Sequence, residues 1–75
     1  MMKIYKIDFD DVDYEEDYSV LVSATDRDQA LIIAEITEED EKFGSRYKSN
    51  IKLITYIGVY YKNVAEEIMY SNKGA

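Results

Sequence analysis

The chain has no cysteine, histidine, proline or tryptophan, and only three glycines in 75 residues. Without cysteine or histidine it has no disulfide framework, no Cys/His zinc site and no thiol or imidazole for nucleophilic catalysis. Glycines at 44, 58 and 74 are too scattered for a phosphate-cradling loop, a dinucleotide-binding turn or a G-x-S-x-G elbow. An enzyme is therefore not expected, and no cofactor is called for. With no proline, no Gly/Ser-rich stretch and no internal repeat, residues 1–75 read as a single domain. No apolar run approaches the ~18 residues of a membrane span. The opening MMKIYKIDF puts Asp8 where a signal peptide would be apolar, so the expected location is the cytoplasm. Bases are also scarce, 9 against 16 acids, for a net charge of −7. Binding to nucleic acid or to an anionic membrane requires clustered Lys and Arg, so neither is expected as a direct partner.

What remains is 47% hydrophobic, with eight tyrosines against two phenylalanines. A chain of this length is near the lower limit for one core, since a domain of roughly 60 residues buries only about 60% of its unfolded surface. Its stability must come from packing, with self-association as a further source.

Residues 3–9, KIYKIDF, place Tyr5, Ile7 and Phe9 on one side and Lys6 and Asp8 on the other, the period-2 signature of a half-buried strand. Residues 18–24, YSVLVSA, repeat it with Tyr18, Val20, Val22 and Ala24, so the two segments predict an antiparallel hairpin. Between them DDVDYEED has six acids and no base, an exposed loop at the hairpin tip. Thr25 followed by Asp28 resembles a capping box, and Asp26 and Asp28 suit the positive end of a helix dipole. Ala30, Ile33, Ala34 and Thr37 then recur at helical spacing, predicting a helix that packs on the sheet. Such a stripe could dock into a partner's groove, but on the one long helix of a small domain it reads as core. The helix ends either near Thr37 or at Gly44, beyond the acids Glu38, Glu39, Asp40 and Glu41.

Residues 50–61, NIKLITYIGVYY, predict a third strand with Ile51, Leu53, Thr55, Ile57 and Val59 on one face and Gly58 as a candidate bulge. The last segment supports two readings, a helix opened by Asn63 and Glu66 or a short edge strand around IMYS. The expected fold class is α+β: a small antiparallel sheet in the order β-β-α-β plus a short C-terminal strand or helix, with one helix on one face.

The acids Asp11, Asp13 and Glu15 alternate as in a calcium loop, but the sharp-turn glycine is replaced by Glu16 and the twelfth position is Val22. No metal site is assigned. Use of paired carboxylates as acid and base requires a pocket that separates their pKa values, and these lie on an exposed loop. The charge distribution is more informative. Residues 1–41 hold 14 acids and 3 bases, whereas residues 42–75 hold 2 acids and 6 bases. An acidic pole built from Asp10, Asp11, Asp13, Tyr14, Glu15, Glu16 and Asp17, joined by Glu38, Glu39, Asp40 and Glu41, would offer carboxylates in place of backbone phosphates to a basic groove. Against this stands the plainer explanation that a net charge of about 2–8 keeps a small domain dispersed. The basic stretch Lys42, Arg46, Lys48 and Lys52, with Tyr47, would suit an acidic partner or the acidic pole of another copy.

MKIYKIDFDD, the acidic turn, YSVLVSATDRDQALIIA and the closing EEIMYSNKGA together resemble small acidic proteins encoded by phages and prophages of low-GC bacteria. The resemblance spans most of the chain and carries over no catalytic residue. It implies an accessory factor that blocks a host defence protein, such as a CRISPR nuclease, by occupying its nucleic-acid site. The expected partner is thus the basic surface of a nucleic-acid-processing protein. The competing expectation is a structural protein that pairs with its own copies through the third strand or an edge beside it.

Overall fold

A computed structural model describes residues 1–10, 17–37 and 46–72. The described residues form a small α+β fold. Strands β1 (Lys3–Phe9), β2 (Asp17–Ala24), β3 (Ile51–Val59) and β4 (Glu66–Asn72) make one antiparallel sheet in the order β3-β1-β2-β4. Among the described residues there is one α-helix, α1 (Arg27–Ile33), which follows β2, and a 3-10 turn, Lys48–Asn50, leads into β3. Among the described residues no helix is long and apolar enough to cross a membrane.

β1 and β2 pair from Lys3 opposite Ala24 to Asp8 opposite Ser19, as their alternation predicts. Tyr5, Ile7 and Phe9 from β1 and Val20, Val22 and Ala24 from β2 are buried on one face, where Ala30 and Ala34 close over them. Ile7, Val20 and Val22 are wholly buried, each contributing about 1.5–3 kcal/mol relative to an exposed position. Two details depart from expectation. Asp17 belongs to β2, paired with Asn72, rather than to the connecting loop. Tyr18 leaves the core face and is exposed, because the β2–β4 register shifts between Asp17 and Ser19 and Tyr18 falls in that irregularity.

The helix is shorter than its apolar spacing suggests, and it starts one residue later. Asp26, not Thr25, is the N-cap, its Oδ1 accepting from the Gln29 amide at 2.8 Å. Gln29 Oε1 reaches back to accept from the Thr25 amide at 2.6 Å and the Thr25 hydroxyl at 3.0 Å, so the box closes through Gln29 and leaves Asp28 as first-turn charge. The helix stops at neither Thr37 nor Gly44. Glu35 takes φ 56, the left-handed region, and the Glu35 and Ile36 amides donate back to Ile32 O and Leu31 O at 3.0 and 3.1 Å. This pair of bonds is a Schellman closure with a glutamate where glycine is usual, and Leu31 and Ile36, its apolar partners, both pack on the core. Ile32 points to solvent.

β3 contradicts the single-face reading. Its register against β1 shifts twice, leaving Lys52 extra between Ile51 and Leu53 and Ile57 extra between Tyr56 and Gly58. The bulge at Lys52 moves the covered alternation from Ile51 to Ile54 and turns Leu53 to the other face, and the bulge at Ile57 returns Val59, opposite Lys3, to the side of Ile51. Ile51 and Ile54 pack against the core, while Leu53, Ile57 and Val59 are exposed. Asn50 belongs to the 3-10 turn, and Tyr60 and Tyr61 lie beyond the strand. The predicted bulge at Gly58 sits one residue early, at Ile57. The C-terminal segment is a strand, β4. β3 and β4 occupy opposite edges, so residues 60–65 cross the end of the sheet past β1 and β2. Ser23, fully buried, holds that crossing: its hydroxyl donates to Val64 O at 2.6 Å and accepts from the Glu66 amide at 2.9 Å.

Candidate functional site

Of the residues expected to form the acidic pole, the structure describes Asp10 and the backbone of Asp17. The other nine, Asp11, Asp13, Tyr14, Glu15, Glu16, Glu38, Glu39, Asp40 and Glu41, lie outside the described residues. Asp10 directly follows β1, its amide donating to Asn50 O at 2.7 Å. Its exposed carboxylate stands 3.9 Å from Lys52 Nζ, a contact in high dielectric worth little. Asp10 and Asp17, which flank residues 11–16 in sequence, lie at the sheet end with Ile51 and Asn72. Residues 38–45 depart from a closed base: Thr37 and Tyr47 form a parallel bridge, the Thr37 amide and hydroxyl donate to Arg46 O, and the Lys48 amide donates to Thr37 O.

Arg46 is not part of an exposed basic stretch. It is buried, its guanidinium donating to Ala34 O at 2.8 Å, pairing with Glu67 and lying 5.8 Å above the Tyr70 ring. A guanidinium suits this place because one planar group satisfies the open end of α1, a carboxylate on β4 and an aromatic face together. Lys48 and Lys52 remain exposed. Among the described residues no three acidic side chains are grouped so as to hold a metal ion.

The described framework is close to electrically balanced, with eight acids and seven bases. Four of those acids, Asp8, Asp10, Glu66 and Glu67, stand within ion-pair distance of Lys6, Lys52, Lys62 and Arg46. Residues 11–16 and 38–41 carry eight acids and no base.

Sequence reasoning passed over the crossing segment. Tyr60 Oη donates to Glu66 Oε2 at 2.5 Å, and that bond, reinforced by desolvation and the carboxylate's charge, pushes the phenol up to about 12. Tyr61 packs edge-on to Tyr60 at 5.1 Å, with Lys62 Nζ 5.5 Å over its ring. Tyr60, Tyr61 and Lys62, with Met1, Met2, Val59 and Asn63, line a shallow depression of about 390 Å³ that offers aromatic faces and the Lys62 ammonium. Its only sequence signal is the tyrosine pair directly after the third strand.

No family model, curated protein or solved structure matches the chain.

Proposed function

We propose that the chain is a non-enzymatic binding protein whose acidic segments occupy a basic, nucleic-acid-binding groove of another protein, as a phage-encoded inhibitor of a host defence nuclease would. The observation that carries this reading is the partition of charge. The framework built by β1–β4 and α1 is nearly balanced, while eight acids sit on two segments joined to it at Asp10/Asp17 and Thr37/Arg46. Eight carboxylates within residues 11–16 and 38–41 supply the closely spaced negative charge that a phosphate-binding groove attracts.

The test uses tagged chain, bacterial lysate freed of nucleic acid, and elution by salt or by competing duplex DNA. The expected result is a nucleic-acid-binding protein displaced by either agent, since at about 1 M salt the screening length falls to ~3 Å. Capture should vanish in the triple variant Asp13→Lys, Glu15→Lys, Glu16→Lys, with a melting temperature near that of the parent as the control for folding. A partner retained by the triple variant, or not displaced by DNA, removes the reading.

A further inference from the structure

β3 is the feature of this fold most in need of cover. It is an edge strand of nine residues, running roughly 30 Å at about 3.4 Å per residue, with one side of its backbone unpaired by any described strand. Four of its side chains, Leu53, Tyr56, Ile57 and Val59, are more than half exposed. The opposite edge is treated differently. β4 opens with Glu66 and Glu67, whereas Lys52 is the only charge in β3 and stands beside Asp10. Charges on an edge discourage strand addition, and β3 carries almost none.

We propose that β3 pairs antiparallel with β3 of a second copy, across a two-fold axis at Thr55, to join two sheets into one of eight strands. The occupant is identified by the strand's self-complementarity. Centred on Thr55, the pairing sets Leu53 against Ile57 and Ile54 against Tyr56 of the other copy. The register against β1 places Ile54 and Tyr56 on the helix-covered face, so they meet on that face and not across the sheet. The bulges at Lys52 and Ile57 leave residues 54–56 around the axis regular, and the bulged Ile57 lies opposite Leu53 at the margin of that stretch.

The placement of charge is compatible with the same arrangement. Asp10 flanks the Ile51 end of β3, and Lys3, opposite Val59, marks the other end, with Lys62 three residues further along the chain. Antiparallel pairing brings Asp10 of one copy toward Lys3 of the other, whereas parallel pairing would set Asp10 against Asp10.

Sedimentation of the intact chain from about 1 µM to about 1 mM tests this, with a monomer–dimer midpoint expected inside that range. Thr55→Lys sets two cations directly opposite each other on the axis and should weaken the dimer about tenfold or more. Met69→Lys, on the uncovered face but on the β4 edge, should leave it unchanged. In a chain without cysteine, Thr55→Cys should form an intermolecular disulfide under mild oxidation far faster than Met69→Cys, since directly opposed Cβ atoms lie about 4.5–5.5 Å apart. A chain monomeric throughout the range overturns the proposal. So does a dimer indifferent to Thr55→Lys, or one weakened equally by Met69→Lys, which would mean stacking through the uncovered sheet face. The Asp13, Glu15, Glu16 triple variant should dimerise as the parent does, so this proposal and the partner-binding reading stand or fall separately.

Discussion

Replacing Glu35 by glycine should stabilise the protein. Glu35 sits at φ 56, where an L side chain brings Cβ against the following carbonyl at a cost of about 1–2 kcal/mol. Glycine carries no such cost, but it adds conformational freedom to the unfolded chain, an offset of about 0.4–1 kcal/mol. The net expected gain is roughly 0.5–1 kcal/mol from backbone relief. Removing a carboxylate from the negative end of α1 adds a smaller term, at most about 0.3–1 kcal/mol and screened because Glu35 is exposed. Glu35→Ala isolates that second term, since it removes the charge and keeps the Cβ. For a domain of this size about 1 kcal/mol moves the melting temperature by roughly 4–8 °C, so Glu35→Gly should melt several degrees above both parent and Glu35→Ala in thermal denaturation followed by circular dichroism. If Glu35→Gly melts at or below Glu35→Ala, the Schellman closure is not held in the left-handed conformation and the reasoning fails.

Ser23→Ala should cost about 1–3 kcal/mol, because it leaves Val64 O and the Glu66 amide without their hydroxyl partner under the crossing segment; urea denaturation beside Ser19→Ala, on the same strand and only half-buried, separates this loss from a general effect of the substitution. Tyr60 should ionise well above the ordinary phenol range, because its hydroxyl donates to Glu66. Its folded pKa of about 12 lies above the ordinary 10.0, so the stability it contributes is complete below pH 10 and is lost as pH rises from there toward 12. Ultraviolet titration of the phenolate in parent and Tyr60→Phe protein checks this: loss of a late-titrating group in the variant is expected, and identical curves would discard the Tyr60–Glu66 bond.

The candidate site was legible as composition and much less as geometry. Runs of acids in residues 10–17 and 38–41 are plain in the sequence, and the balanced framework they join needed only the element boundaries to be seen. Arg46 was misplaced because a cation among Lys42, Lys48 and Lys52 gives no local sign of being buried. What buries it is the coincidence of Ala34 O, Glu67 and Tyr70, brought together from distant parts of the chain.

Local pattern was enough for β1 and for β2 from Val20 onward, where period-2 alternation names both the strand and its buried face. It placed the entry into α1 to within a residue, although the cap is Asp26 with Gln29 and not Thr25 with Asp28. Tertiary structure alone decided the rest, because each remaining choice depends on a distant partner. The end of α1 depends on Leu31 and Ile36 reaching the core, which holds Glu35 in a conformation its own side chain disfavours. The exposed side of β3 depends on two bulges set by its register with β1, since one extra residue exchanges the faces. Residues 63–70 could have been helix or strand by propensity. Glu66–Asn72 is a strand because it pairs along the open edge of β2, where Ser23, 43 residues away in sequence, takes the Glu66 amide.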